Sequence, residues 1–253
     1  MANKLRNIVR KIFDNGRRLE IIERNQAELL KLQQENYWAN IFNTATRGST
    51  WFKDDNINIG RWAPGYVLFY VLYRILDETK PKNILELGMG ETTRMIQKYK
   101  KVLNPEANCI TVEHDKKWIE LKKNSWLSSD LINVVNAELG EVVVNGKNTR
   151  QYLNLPGHLA SFSKRFNLIV IDGPFGSENY SRYNIIELIK EGFLDDDFII
   201  IMDDYNREGE KETIGELKKA LTEKGIGFDG VSYSGDKEFY IIVSPGKKYL
   251  LSL

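Results

Sequence analysis

"NILELGMGETTRMIQKY", residues Asn83 to Tyr99, runs an apolar strand into a turn with two glycines and then into a helix. Gly88 and Gly90 let backbone approach a ligand closely, and the first turn of the following helix offers free N–H groups. Turns of this kind hold nucleotide-type cofactors, and the flanking residues decide which. Dinucleotide sites read G-x-G-x-x-G, with an acid about 20 residues later for the ribose hydroxyls. Here Thr93 stands where the third glycine would be, while Glu113 closes the next apolar strand. Glu86, two residues before Gly88, would repel a pyrophosphate and attract an ammonium.

Outward from this turn the pattern alternates. Apolar strands are expected at "NILELG", "CITVEH", "INVVNA", "FNLIVIDG" and "DFIIIMDD", with helices at 91–100, 116–126, 148–162, 180–192 and 207–224. Strands alternating with helices predict an α/β fold with a parallel sheet covered on both faces, and near-continuous apolar strands fit burial on both sides. The chain ends otherwise: "GFDGVSYSG" and "KEFYIIVSP" meet at a tight Ser-Gly-Asp turn, which predicts a hairpin and an antiparallel finish to the sheet. The acidic run Asp195 to Asp197 is expected as a solvated turn ahead of a strand.

The E-x-G-x-G spacing of Glu86, Gly88 and Gly90, the acid Glu113 and the antiparallel finish together resemble the class I S-adenosylmethionine-dependent methyltransferases, over roughly residues 64 to 244. The resemblance implies a Rossmann-like seven-stranded methyltransferase sheet, parallel except for its C-terminal hairpin. It implies that Glu86, Gly88 and Gly90, with Thr92 of the same turn, line the methionine half of S-adenosylmethionine. Glu113 then takes both ribose hydroxyls, and His114, Ala137 and Glu138 lie near the adenine.

A second acidic group follows two adjacent strands: Asp172 in "IDGP", and Asp203 and Asp204 in "DDYNREGE". Ligands of open α/β sheets bind at the carboxyl edge of the strands. Three carboxylates converging there repel one another unless a cation or shared protons offset them, and oxygen-rich clusters suit a hard divalent ion. The placement is similar to catechol-type O-methyltransferases, whose acids grip such a metal, and implies Mg²⁺, Mn²⁺ or Co²⁺ on Asp172, Asp203 and Asp204. "IDGP" and the D-x-x-R-x-x-E-like run also resemble the glucuronoxylan O-methyltransferase family, which carries a histidine at the place of Asp203. On this reading Asp172 or Asp204 removes the acceptor's proton, and Tyr180, Arg182 and Arg61 contact a small-molecule or glycan acceptor. Two other readings compete on the residues alone. One is a nicotinamide-dependent oxidoreductase or epimerase, which lacks here the third glycine and a Tyr-x-x-x-Lys pair after strand four. The other is a non-catalytic cofactor-binding scaffold.

Residues 1–47 are expected as a helical extension and 48–253 as the catalytic domain. Leu5, Ile8, Val9, Ile12 and Phe13, then Leu29, Leu30, Tyr37, Trp38, Ile41 and Phe42, fall at helical spacing, with Gly16 expected to separate two helices. Such stripes need a cover, either the chain's own domain or a second copy, a homodimer. Basic residues in the first helix make contact with a peripheral membrane surface the alternative. The 253 residues carry a net charge of +1, which gives no electrostatic ground for a nucleic-acid partner, and no N-P-P-Y-like run follows strand four. The lone Cys109 and the absence of a signal-peptide-like apolar run predict a soluble, cytoplasmic protein.

Overall fold

The computed structural model describes residues 2–52, 57–60, 63–162 and 165–252, with side chains from Gly16 onward. In chain order the elements are α1 (Ala2–Thr46), α2 (Tyr66–Thr79), β1 (Asn83–Leu87), α3 (Glu91–Val102), β2 (Asn108–Glu113), α4 (Lys116–Lys123), β3 (Asn133–Asn136), β4 (Leu139–Val144), β5 (Lys147–Tyr152), α5 (Leu155–Ala160), β6 (Phe166–Ile171), α6 (Asn184–Lys190), β7 (Leu194–Met202), α7 (Glu208–Glu223), β8 (Asp229–Ser234), β9 (Glu238–Val243) and a closing 3₁₀ turn, Pro245–Leu251. Seven strands form one sheet in the order β3-β2-β1-β6-β7-β9-β8. β3, β2, β1, β6 and β7 pair in parallel, and the β8–β9 hairpin adds antiparallel with β9 against β7. This is the sheet expected above.

Successive residues of β1 serve opposite faces, as a strand's period of two requires. Ile84 joins a core built with α2, α3 and Trp51, while Leu85 and Leu87 join one built with α6 and α7. Both faces are therefore buried, which explains strands without polar alternation.

Three local expectations are corrected. Gly16 does not divide the N-terminal segment: α1 is a single helix of 45 residues. One glycine in an exposed helix costs only about 1 kcal/mol, too little to break a long helix with good formers on either side. The helix expected over 148–162 shrinks to α5; residues 148–152 belong to β5, which pairs antiparallel with β4. Asn145 and Gly146 join that pair with φ of +50° and +79°, the left-handed values that a two-residue hairpin turn demands. The Asn-Gly dipeptide was the available signal. Asp195 to Asp197 lie inside β7 and not before it, where the pairing with β6 shifts register between Phe166 and Leu168. Asp196 meets Arg165 and Asp197 meets Lys247, so the run is tied down as well as solvated.

Among the described residues no helix is long and apolar enough to cross a membrane. Among the described side chains, α1 docks on the domain near its C-terminal end. Glu35 Oε1 accepts from Tyr66 N at 2.7 Å and its Oε2 from Asp236 N at 2.9 Å, while Trp38 Nε1 donates to the Ser234 carbonyl at 3.1 Å. Phe42, 5% exposed, packs against Phe52, Tyr66 and Phe69.

Candidate active site

Strand register gathers the site. Leu87 is level with Val112 and with Ile171, and Ile171 with Met202. The next residue of each strand is thus Gly88, Glu113, Asp172 and Asp203, side by side along the carboxyl edge of β1, β2, β6 and β7. The strand order reverses at β1, the crevice where open α/β sheets bind ligands.

Gly88 has φ +94°, and a Cβ built on it would stand 2.7 Å from Gly173 N and 2.8 Å from the Asp172 carbonyl carbon. The turn passes so close to the β6 edge that only glycine fits. Gly90 differs: its φ is −159°, ordinary extended backbone, and a Cβ there meets nothing within 4 Å. Open space over the start of α3 is what a ligand lying on this turn requires.

Glu86 is wholly buried beneath the turn. Thr92 Oγ1 donates to it at 2.5 Å, and Thr93 Oγ1 and Thr111 Oγ1 each at 2.7 Å. Thr93 in turn accepts from Gly90 N at 2.9 Å. Glu86 and Thr92, expected to line a cofactor, therefore act on it through the turn they anchor. Burial pushes the Glu86 carboxyl up to about 7, against the opposing pull of the three hydroxyls. A carboxyl raised from 4.5 contributes stability that is complete below pH 4.5 and lost as pH rises through 7. Denaturant unfolding of wild type and Glu86→Gln between those limits should show the wild type losing about 3 kcal/mol more than the variant. Parallel profiles would contradict this.

Glu113, 6% exposed, accepts from His114 N at 2.7 Å and Asp115 N at 2.9 Å on Oε1, and from Met89 N at 3.0 Å on Oε2. A carboxylate oxygen has two lone-pair sites. Oε1 is filled by two backbone donors, and Oε2 retains one site for a ligand hydroxyl. His114 holds Nδ1 2.8 Å from Oε1, out of line for a hydrogen bond, and meets Phe175 edge-on at 4.9 Å. Ala137 is buried beside the end of β2, its N–H on the Glu113 carbonyl, and Glu138 is exposed.

The acidic group has an internal cation. Arg182, 3% exposed, donates from Nη2 to Asp204 Oδ2 at 2.7 Å and Asp172 Oδ1 at 3.4 Å, and from Nη1 to the Asp203 carbonyl at 2.8 Å. Its Nε lies 3.7 Å from Glu210 Oε1. Arg182 was expected to read an acceptor; instead it is buried among acids and faces none. Arg207 adds a second contact to Asp204 at 3.0 Å. Burial, reinforced by Asp203, still holds the Asp172 carboxyl well above the usual range despite Arg182. Asp203 is raised by burial and by Asp204. One oxygen from each of Asp172, Asp203 and Asp204 lies within 4.8 Å of the others, and Asp203 Oδ2 has no hydrogen-bond partner. Tyr180, Arg182 and Asp204 have φ of +43°, +60° and +59°, values costly outside glycine and concentrated at functional sites.

Tyr180 is turned toward the β4–β5 hairpin: its carbonyl accepts from Thr149 Oγ1 at 2.9 Å, its N–H reaches Glu212, and its ring lies 5.4 Å from the Lys147 ammonium. Arg61, and Trp62 beside it, lie outside the described residues. From the sequence no individual role fell to Thr93, Thr111, Trp118, Phe175, Arg207 or Glu210. Of these, Arg207 and Glu210 stood in the quoted "DDYNREGE" run, spaced three apart from Asp204 so that one face of a helical turn brings them together. Trp118, whose Nε1 donates to the Met89 carbonyl at 2.8 Å, carried no such signal.

No protein-family model matches the chain, and no curated protein matches its sequence. Solved structures do match its fold. The O-methyltransferase from Bacillus cereus in complex with S-adenosylhomocysteine superposes with a TM-score of 0.50 at 14% identity, over 84% of this chain and 90% of that one. A protein from Klebsiella pneumoniae assigned as an O-methyltransferase gives 0.52 at 13%, over 83% and 98%. One from Staphylococcus aureus assigned as a caffeoyl-CoA O-methyltransferase gives 0.50 at 12%, over 87% and 99%. The chain therefore has the fold of these class I O-methyltransferases.

Proposed function

We propose that the protein transfers a methyl group from S-adenosylmethionine to an oxygen acceptor, the hydroxyl of a sugar or another small molecule. The observation that carries this reading is the row Gly88, Glu113, Asp172, Asp203 at the switch point of the sheet, with open space above Gly90. The fold shared with an O-methyltransferase in complex with S-adenosylhomocysteine supports it. The residues fit the cofactor: Gly88 permits close approach, the α3 N-terminus presents donors, and Glu113 Oε2 has a lone-pair site for a ribose hydroxyl. When bound, S-adenosylmethionine supplies an electrophilic methyl on a sulfonium.

The chain's task is then orientation and proton removal. Asp172 borders both the glycine turn and the acidic group, which places its ionised form to take the hydroxyl's proton. Arg182 favours that ionised form, while burial and Asp203 oppose it. Asp172, Asp203 and Asp204 also fit a divalent ion, because Asp203 Oδ2 is unpartnered and three oxygens converge. A hard ion there would supply a lowered hydroxyl pKa. The test is turnover on a panel of hydroxylated acceptors with chelator, with Mg²⁺, Mn²⁺ or Co²⁺ restored, and with Asp172→Asn. Turnover should fall at least tenfold in chelator and in the variant, and return with metal. Full turnover in chelator would leave Arg182 as the cluster's cation; full turnover of Asp172→Asn would remove the site.

A further inference from the structure

Beyond its docking residues α1 carries a second pattern. Leu19, Ile22 and Leu29 are 59%, 50% and 58% exposed, and Gln26 and Gln33 are exposed with them. These positions recur at alternating intervals of three and four, the a/d seam of a heptad repeat. The sequence continues the same series N-terminally through Asn15, Ile12, Ile8 and Leu5, apolar except at Asn15. In this register Glu35, Trp38 and Phe42, which dock on the domain, fall at c, f and c. At about 100° per residue these lie on the side of the helix opposite the seam. The seam therefore faces away from the domain.

The charges discriminate between occupants. Arg17, Arg24 and Lys31, all exposed, fall at f, directly opposite the seam. A helix lying on an anionic membrane keeps its cations beside the apolar face, where they reach the headgroups; here three of the four cations whose side chains are described, all but Arg18, point away from it. Arg18 and Glu23 fall at g and e, flanking the seam. In a parallel pair of helices, g of one heptad faces e of the partner's next heptad, so Arg18 meets the opposite charge in each direction.

We infer that α1 joins two copies of this chain in a parallel two-stranded coiled coil through Leu19, Ile22, Gln26 and Leu29, with the two domains on its outer side. The polar pair at Gln26 fixes register at some loss of stability. The inference is independent of the proposed chemistry, because its test reads mass alone. Sedimentation equilibrium of the full chain should give twice 29.3 kDa at micromolar concentration. Leu19→Glu with Leu29→Glu should give a monomer. Ile21→Glu, at an equally exposed apolar position outside the seam, should leave the dimer intact. None of these side chains belongs to the domain core, so the variants should retain the wild-type thermal transition of the domain. Gln26→Cys should cross-link two chains under oxidation, with the buried Cys109 no competitor. A monomeric wild type, including one that binds vesicles of anionic phospholipid, overturns the inference. So does a dimer that survives Leu19→Glu with Leu29→Glu, or one dissociated equally by Ile21→Glu.

Discussion

Arg182→Met is expected to destabilise the fold by about 3–5 kcal/mol at neutral pH, because it removes the cation from a buried ionic group and leaves the acids behind. Arg182 is 3% exposed and reaches Asp172, Asp204 and the Asp203 carbonyl at once, with Glu210 beside it. Methionine preserves much of the volume, so the loss reports charge and hydrogen bonds more than packing. Lysine should rescue little, because a single ammonium does not reproduce a fork with donors on both nitrogens. The pH dependence carries the diagnosis. Without Arg182, the carboxyls of Asp172 and Asp203, already raised, rise further and take up protons more readily in the folded state. The deficit against wild type should therefore shrink as pH falls. Urea unfolding of the two proteins at several pH values measures it. A loss under about 1 kcal/mol would mean that Arg182 is not what balances these acids.

The two glycines of the turn should separate stability from binding. Gly88→Ala forces a Cβ to within 2.7–2.9 Å of the backbone of Asp172 and Gly173 at a φ of +94°. Either β1 or β6 must shift, so a loss of at least about 2 kcal/mol and of ligand binding together is expected. Gly90→Ala meets no atom and needs no unusual backbone angle. It should cost no more than about 1 kcal/mol, for the change of N-cap residue, yet weaken S-adenosylhomocysteine at least tenfold by filling space the ligand occupies. Thermal shift and calorimetry on both variants check the pair. Unchanged affinity in Gly90→Ala would mean that the open space above the turn is not the ligand's.

What could be read in the sequence follows from how local each signal is. Strands such as "FNLIVIDG" declare themselves because burial on both faces makes them near-continuous apolar runs. Gly88, Glu113, Asp172 and Asp203 stood out because each closes or immediately follows such a strand, and strand ends need no tertiary knowledge to locate. Arg182 was misplaced for the converse reason. Apart from Asp172, ten residues away, its partners lie just after β7 and on α7, more than 20 residues away in sequence, and it looked like any arginine in a loop. The part Thr93 and Thr111 play beneath Glu86 was hidden because they sit among helix and strand residues at ordinary spacing. The β4–β5 hairpin was legible in Asn145 and Gly146, but the apolar residues around it also fit a helical spacing.

The account rests on the glycine turn and Glu113 holding S-adenosylmethionine, and direct binding tests that claim without knowledge of the acceptor. Isothermal titration of the full chain with S-adenosylhomocysteine, and separately with NAD, is the measurement. The account predicts one site per chain for S-adenosylhomocysteine and no heat of binding for NAD. Binding of NAD without S-adenosylhomocysteine would contradict it and make the protein a nicotinamide-dependent enzyme on a methyltransferase fold.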